Sequence, residues 1–292
     1  MELIDGKKIG EEIKKEIAAK VASIIDAGGE PPHLVAVLVG EDAASQTYIA
    51  SKERACKAVG FTSSVYRYDS DMTEKQLLDV VDFLNNDPEV NGFIVQLPLP
   101  AHIDASRILE RIHPEKDVDG FHPLNIGRLV LGLPSYLPAT PAGIMLLLER
   151  AGIATEGRHC VVLGRSNIVG TPISLLMSRK ANPGNSTVTL CHSKTENLAE
   201  ITRQADILIA AIGHPGFVKE DMVKAGAVVI DVGIHRIPDD SEKGYYITGD
   251  VDFEKVAPKC SYITPVPGGV GLMTIISLLL NTFKAYNHEI YP

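Results

Sequence analysis

The sequence from residue 159 to 172, HCVVLGRSNIVGTP, combines an apolar run, a glycine turn and residues that can begin a helix. Such a turn directs free backbone N–H groups and the positive end of the helix at a bound anion. Gly164 allows the tight turn, and Gly170 lets the helix pack closely against the strand. Ser166 replaces the second glycine of the usual G-x-G-x-x-G motif, and Arg165 precedes it. We therefore interpret this segment as a Rossmann-like turn with additional phosphate-binding groups.

The residues after the next predicted strand indicate which dinucleotide this turn would take. A unit that prefers NAD usually carries Asp or Glu about 20 residues beyond the turn, where it binds the ribose hydroxyls. Here the strand ends in Cys191, His192 and Ser193. Arg165 and Ser193 are able to hold a 2′-phosphate, which a carboxylate would repel. The pattern favours NADP over NAD, although a degenerate glycine motif alone is equally typical of an ordinary strand-to-helix turn.

Two later apolar strands end in AAIGHPG and VIDVGI. They are expected to bring Gly213 and Ile234 to the carboxyl edge of a parallel sheet, where ligands bind in such folds. His214 and His235 lie near that edge, and we assign neither of them a role.

A second group of chemically useful residues lies on one face of a predicted helix over residues 43–59. Ser45, Tyr48, Lys52 and Cys56 are spaced i, i+3, i+7 and i+11, so they form a single stripe. If the stripe faces a cleft, desolvation lowers the pKa of the lysine and suits it to proton transfer. A solvated lysine beside a core tyrosine gives the same spacing, so the stripe alone leaves both interpretations open.

Two loop segments have the composition of ligand contacts. VQLPLP, residues 95–100, ends an apolar strand with Gln96 and two prolines, which is typical of a pocket wall. PEKDVDGFHP, residues 114–123, gathers three carboxylates and a lysine around a turn. It is not an EF-hand, because position 12 counted from Asp117 is Arg128 rather than Glu. An ordinary Asx turn explains this second segment equally well.

Composition limits the class of protein. The chain has 292 residues, 45% hydrophobic and 22% charged residues, and a formal net charge of −9. This balance argues against a nucleic-acid partner, which needs clustered Lys and Arg. The four cysteines show no zinc-ligand or CxxC spacing, and no apolar stretch is long enough for a membrane span. We expect a cytoplasmic protein with no metal and no membrane partner.

Apolar runs alternate with helical patterns along the chain, which predicts an α/β fold with largely parallel sheets in two domains. The proline-rich segment 133–143 marks the boundary, giving domains at 1–140 and 141–270, and a final helix near 271–292 is expected to return to the first domain. The predicted strands are 33–39, 64–68, 92–97, 160–163, 187–191, 207–212 and 228–232. The predicted helices are 43–59, 73–85, 106–112, 142–151, 171–180, 197–204 and 272–286.

Taken together, SQTYIASK, VQLPLP, PEKDVDG, GRSNIVGTP, CHSKT and ITPVPGGVG closely resemble the bifunctional methylenetetrahydrofolate dehydrogenase/cyclohydrolase family. The resemblance covers nearly the whole chain. One departure is Leu272, where the family commonly has proline; this change removes no reactive group. The resemblance implies an N-terminal α/β catalytic domain, a Rossmann-like NADP-binding domain with a parallel sheet, and an active site in the cleft between them. It also implies a homodimer.

The implied chemistry is two consecutive reactions on tetrahydrofolate one-carbon derivatives. A hydride passes from 5,10-methylenetetrahydrofolate to NADP⁺, and water then opens the 5,10-methenyl cation to 10-formyltetrahydrofolate. By the same resemblance, Lys52 is the main catalytic residue and Gln96 positions it. Tyr48 stacks on the aminobenzoyl group, and Asp119 binds the pterin ring. The resemblance further implies a substrate-contact set and a cofactor-contact set. The first is Leu97, Pro98, Pro265, Gly268, Gly269 and Val270, and the second is Gly164, Arg165, Ser166, Ser193 and Ile234.

Three other classes were weighed. Short-chain dehydrogenases carry a Y-x-x-x-K pair after the nucleotide-binding glycines in the same domain, whereas Tyr48 and Lys52 lie far upstream of Gly164. An NADP-dependent dehydrogenase of an amino acid or a shikimate-like acid would need a cationic clamp near Lys52, and the first domain shows none. A non-catalytic NADP sensor would have no use for Tyr48, Lys52, Gln96 and Asp119 together.

The assignment of Arg165 to the 2′-phosphate yields the first prediction. Arg165→Ala should weaken NADP binding far more than NAD binding, because only NADP carries the additional anion. Titration of the variant with both nucleotides measures the difference. Equal losses for the two cofactors would contradict the assignment.

Overall fold

The computed structural model describes residues 1–241 and 244–291. The chain divides into two compact units, each built from two stretches of sequence. The flanking unit contains Glu11–Ala139 and the segment that begins at Ile275. The central unit contains Met1–Gly10 and Thr140–Thr274.

The secondary structure alternates between strands and helices, as expected for an α/β protein. The strands are β1 (Glu2–Leu3), β2 (His33–Val39), β3 (Thr62–Tyr68), β4 (Gly92–Val95), β5 (His159–Leu163), β6 (Thr187–Cys191), β7 (Ile207–Ala210), β8 (Val228–Asp231), β9 (His235–Pro238), β10 (Tyr245–Thr248) and β11 (Tyr262–Ile263). The helices are α1 (Gly6–Asp26), α2 (Ala43–Val59), α3 (Glu74–Asn86), α4 (Ala105–Arg111), α5 (Pro123–Val130), α6 (Ala139–Arg150), α7 (Gly170–Ser178), α8 (Leu198–Thr202), α9 (Phe253–Val256) and α10 (Val270–Tyr286).

The flanking unit is organised around a parallel sheet with the strand order β3-β2-β4. Its central strand, β2, reads HLVAVLV and is buried from Leu34 onward, as expected for a parallel strand covered on both faces. The helix that follows, α2, begins where the Asp42 carboxylate accepts the N–H of Ser45. It ends at Gly60, whose left-handed backbone satisfies the last carbonyls. Local capping therefore fixes both ends of the helix that carries Lys52.

The central unit contains a six-stranded parallel sheet with the order β1-β11-β8-β7-β5-β6. The four strands β5, β6, β7 and β8 run in a doubly wound arrangement, which places the turns after them at one carboxyl edge. Their inward side chains form a continuous apolar core that includes Val161, Leu208 and Val229. A separate antiparallel hairpin, β9–β10, follows β8.

Sequence patterning predicted the repeating elements well. The predicted bounds of β2, α2 and β6 are confirmed residue for residue, and most other bounds differ by one or two residues. Seven elements were not predicted: β1, α1, α5, the two strands of the β9–β10 hairpin, α9 and β11. The first ten residues group with the central unit because β1 pairs with β11. A two-residue edge strand carries too little pattern to be recognised in sequence.

Within residues 1–241 and 244–291, no helix has both the length and the apolar composition that crossing a membrane would require.

The close approach of two glycines in the central unit gives a stability prediction. A Cβ on Gly170 would lie 2.0 Å from the carbonyl oxygen of Gly164, so Gly170→Ala should force the turn to shift. We expect a loss of about 1–3 kcal/mol in the free energy of unfolding, measured by denaturation. Gly127→Ala is the matched control, because a Cβ there meets no neighbour; it should gain about 0.5–1 kcal/mol. Unchanged stability of Gly170→Ala would contradict this account of the turn.

Candidate active site

The stripe predicted on α2 is a real structural feature. Ser45, Lys52 and Cys56 are buried, and Lys52 is only 5% exposed. The Lys52 ammonium nitrogen lies 4.8 Å from the centre of the Tyr48 ring, one helical turn earlier. A cation at this distance from an aromatic face is attracted by the ring electrons. The alternative of a solvated lysine is therefore wrong.

Gln96 follows β4 and meets the lysine directly. Lys52 Nζ donates to Gln96 Oε1 at 3.2 Å, while Gln96 Nε2 donates to the carbonyl oxygen of Leu97 at 2.7 Å. The backbone N–H of Gln96 also donates to the carbonyl of Val37 in the neighbouring strand. These three hydrogen bonds fix the amide so that its oxygen faces the amine. Gln96 can therefore orient the lone pair or the protons of Lys52.

Asp119 is the third charged or polar partner in this cluster. Burial lowers the pKa of Lys52, and the Asp119 carboxylate opposes that shift. Burial likewise raises the pKa of Asp119, and the Lys52 ammonium opposes that shift. Removal from water thus disfavours the charged form of each group, while the charge of each group stabilises that of the other. Proton transfer at Lys52 consequently costs less here than it would at an exposed lysine.

Cys56, the cysteine of the same stripe, is an unreactive thiol. Burial raises the pKa of the Cys56 thiol to about 11, although a hydrogen bond with Ser63 partly opposes the shift. The thiolate is the nucleophilic form, so Cys56 is not a nucleophile at neutral pH. Leu97 and Pro98 continue from Gln96 at the end of β4; Leu97 is partly buried and Pro98 is exposed.

The central unit holds the predicted phosphate turn between β5 and α7. The Ser166 hydroxyl accepts the N–H groups of Val169 and Gly170 at 3.2 and 3.3 Å, which shapes the start of the helix. Arg165 is exposed beside this turn. Gly164 has φ +105, and a Cβ there would lie 2.0 Å from the carbonyl oxygen of Ala211. The turn therefore has the close backbone packing that a dinucleotide-phosphate cradle requires.

The remaining predicted cofactor residues share the same sheet edge. Ser193 lies in the exposed turn after β6, which is the direct neighbour of β5. Ile234 follows β8 and is 55% exposed. A cation at Arg165 and a hydroxyl at Ser193 suit phosphate oxygens, and an apolar side chain at Ile234 suits a flat ring. The residues present fit a phosphorylated dinucleotide.

The predicted substrate residues 265–270 belong to the central unit. Gly269 and Val270 are buried, Pro265 and Gly268 are partly buried, and α10 begins at Val270. A Cβ on Gly269 would lie 2.7 Å from the carbonyl oxygen of Pro265, so the turn is tightly folded on itself. Lys52, Tyr48, Gln96 and Asp119 are brought together in the flanking unit.

Two buried acids at the edge of the central sheet were missed by sequence reasoning. The Asp231 carboxylate accepts the N–H groups of Gly233, Asp250 and Val251. The Asp250 carboxylate accepts the N–H groups of Ile212 and Gly213 and contacts the His235 ring at 2.7 Å. These acids hold the loops that carry Gly213 and Ile234. The available signal was an acid at the end of β8 and another acid two residues after β10.

Among the residues that the structure describes, no group of three or more His, Cys, Asp or Glu side chains is arranged to hold a metal ion.

Comparison with known proteins identifies both units. The tetrahydrofolate dehydrogenase/cyclohydrolase catalytic-domain model matches residues 4–119, and the NAD(P)-binding-domain model of the same family matches residues 138–290. A relative from Bacteroides thetaiotaomicron, named bifunctional protein FolD, is 60% identical over 292 residues, covering 100% of both chains.

Solved structures agree with these matches. The methylenetetrahydrofolate dehydrogenase/cyclohydrolase of Campylobacter jejuni is 48% identical with a TM-score of 0.92, covering 99% of each chain. The Trypanosoma brucei enzyme, solved with NADP cofactor and inhibitor, is 37% identical with a TM-score of 0.93, covering 99% of this chain and 98% of that one. The protein therefore belongs to the tetrahydrofolate dehydrogenase/cyclohydrolase family.

Proposed function

We propose that Lys52 moves the protons in the second of the two reactions that this enzyme catalyses. The enzyme oxidises 5,10-methylenetetrahydrofolate to the 5,10-methenyl cation with NADP⁺ and then hydrolyses that cation to 10-formyltetrahydrofolate. One observation supports the assignment: the Lys52 amine is buried, and its nitrogen lies 3.2 Å from Gln96 Oε1. Burial lowers the pKa of this amine.

In the first reaction the protein's task is to hold reactants rather than to move protons. The bound NADP⁺ supplies a hydride acceptor, and hydride transfer from the methylene carbon yields the methenyl cation and NADPH. The turn of Gly164, Arg165 and Ser166 would hold the phosphates, with Ser193 and Ile234 completing the cofactor contacts. Arg165 and Ser193 support binding of the 2′-phosphate because both lie exposed at turns after adjacent strands.

The second reaction needs a base and then an acid. Water attacks the cationic carbon and must lose a proton, which the neutral amine of Lys52 can accept. The ring then opens as the bond from that carbon to N5 breaks, and the Lys52 ammonium can return the proton to N5. The product side is 10-formyltetrahydrofolate plus one proton released to solvent. An amine whose pKa is lowered serves in both directions.

The neighbours of Lys52 have supporting roles. Gln96 would keep the amine aimed at the attacking water, since its oxygen is already fixed towards Nζ. Tyr48 would stack on the aminobenzoyl ring, and Asp119 would accept N–H groups of the pterin. Leu97, Pro98, Pro265, Gly268, Gly269 and Val270 are proposed substrate contacts. A homodimer remains a prediction from the family resemblance, and a cytoplasmic location remains a prediction from the composition.

The role of Lys52 is tested by Lys52→Met, which keeps much of the apolar stem and removes the amine. We expect hydrolysis of added methenyltetrahydrofolate to fall by about 10²–10⁴-fold, the usual contribution of a positioned acid–base group. NADP binding should survive, because Lys52 lies in the flanking unit and the cofactor residues do not. Lys75→Met, an exposed lysine on α3, is the matched control. Unimpaired hydrolysis in Lys52→Met would remove Lys52 from the mechanism.

The electrostatic coupling of Lys52 and Asp119 gives a separate prediction. Lys52 should titrate below its ordinary pKa of 10.5, and Asp119→Asn should lower its pKa further, because the carboxylate stabilises the ammonium form. The free-amine fraction, and with it hydrolysis, should rise with pH through the lowered pKa and level off above it. Titration of ¹³Cε-labelled lysine by NMR measures the pKa directly. An upward shift of the Lys52 pKa in Asp119→Asn would contradict this coupling.

A further inference from the structure

We propose that Asp117, Asn125 and Tyr291 form a positioning network that fixes Asp119 for substrate binding. The proposal rests on the proposed role of Asp119 as the pterin-binding carboxylate. None of the three residues needs to touch the substrate; they act on the turn that carries Asp119. All of the contacts that carry the proposal lie within the flanking unit.

Asp117 closes the turn around Asp119. Its side chain is only 1% exposed, and its carboxylate accepts three N–H groups. These donors are the backbone of Phe121 at 3.2 Å, the backbone of His122 at 2.8 Å and Asn125 Nδ2 at 2.9 Å. Because the donors lie after Asp119 in sequence and the acceptor lies before it, the bonds tie the two sides of the turn together.

The start and the apex of the same turn are also held. The N–H of Phe93 in β4 donates to the Lys116 carbonyl at 3.0 Å, which anchors the turn to the sheet. The Asn281 side chain of α10 donates to the Val118 carbonyl at 2.9 Å, and the N–H of Ala139 donates to the Asp119 carbonyl at 3.2 Å. Little freedom remains for Asp119 beyond rotation of its own side chain.

The apex also depends on a glycine. Gly120 has φ +75, and a Cβ at this position would lie 2.6 Å from the Leu137 carbonyl carbon. The turn is therefore pressed against the chain before α6, and it cannot relax outward without breaking the bonds to Asp117. The position of Asp119 is set by its backbone surroundings.

Asn125 links Asp117 to the segment after α10. This side chain is fully buried, and both its N–H groups are used: Nδ2 donates to Asp117 and, at 3.1 Å, to the carbonyl of Pro114. Its oxygen accepts the Tyr291 hydroxyl at 2.8 Å and the Tyr136 N–H at 3.4 Å. Two donors therefore face Oδ1, and a carboxylate faces Nδ2. Flipping the amide would place like groups together, so Tyr291 helps to fix its orientation.

Tyr291 is itself held by two neighbours. The Arg128 guanidinium carbon lies 5.1 Å from the centre of its ring, and the Tyr136 ring centre lies 5.8 Å away. These contacts keep the hydroxyl aimed at Asn125. Burial raises the pKa of Asp117 to about 7, and its N–H donors oppose that shift. The carboxylate form therefore depends on the donors that the network supplies.

The test measures whether Asp117 and Tyr291 act through Asp119. Asp117→Asn places an NH₂ group against N–H donors, so we expect the KM for the folate substrate to rise about tenfold, with the KM for NADP⁺ unchanged. Tyr291→Phe removes a single hydroxyl and should raise the folate KM about two- to fivefold. Tyr286→Phe on α10, outside the network, is the matched control and should leave the folate KM unchanged.

Both substitutions are then repeated in an Asp119→Asn background, as a double-mutant cycle. If the network acts by positioning Asp119, each substitution should change the folate KM by less than about twofold in that background, because the group being positioned is already lost. Equal effects in the two backgrounds would overturn the proposal, as would an unchanged folate KM in Tyr291→Phe. Should Asp117→Asn fail to fold, Tyr291→Phe carries the test alone.

Asp119→Asn by itself distinguishes the proposed role of Asp119 from the proposed positioning network. An unchanged folate KM in this single variant would refute the proposed role of Asp119, whatever the network does. A raised folate KM with additive effects of Tyr291→Phe would leave Asp119 in place and refute the positioning network.

Discussion

The flanking unit is organised around one constraint, which is that the Lys52 amine is kept out of water. An isolated buried charge costs far more than a small domain can offset, so such a group is paired, hydrogen-bonded or neutral. Lys52 has all three options nearby: the Asp119 carboxylate, the Gln96 oxygen and a lowered pKa. The capped helix α2, the end of β4 and the turn at Asp119 are each needed to bring the amine, the amide oxygen and the carboxylate together. A change in any of these elements would alter the protonation of the amine.

Both units hold their functional loops in the same physical way. In the flanking unit the buried Asp117 carboxylate gathers N–H groups from the turn beyond Asp119. In the central unit Asp231 and Asp250 gather N–H groups from loops at the carboxyl edge of the sheet. A buried carboxylate that accepts several backbone donors fixes loop conformation more firmly than neutral partners do. Loops that carry the proposed ligand contacts are thereby held by acids that need not contact the ligands themselves.

Sequence reasoning singled out Lys52 and Gln96 as candidate site residues because side chains of their chemistry are unusual at those positions. A lysine in a stripe with Tyr48 and Cys56 and a glutamine closing an apolar strand stand out in the printed chain. The acids that hold the loops do not stand out, because Asp after a strand or in a turn is ordinary. Asp117, two residues before Asp119, was recognised only as one of three carboxylates in a segment that suits either a ligand contact or an Asx turn. What sequence could not give was the partner of each acid, since those contacts join Asp117 to Asn125 and Asp231 to Val251.

The pairing of β1 with β11 bears on how the molecule is made. Glu2 and Leu3 are synthesised well before their partners Tyr262 and Ile263, which emerge from the ribosome only after the other strands of the same sheet. The flanking unit has the same dependence, because Asn281 bonds to Val118 and Leu137. Neither unit can form these contacts early in translation, so the apolar strands that precede them stay exposed until the later residues emerge. Contacts so distant in sequence slow folding and lengthen the interval in which a nascent chain needs protection from aggregation.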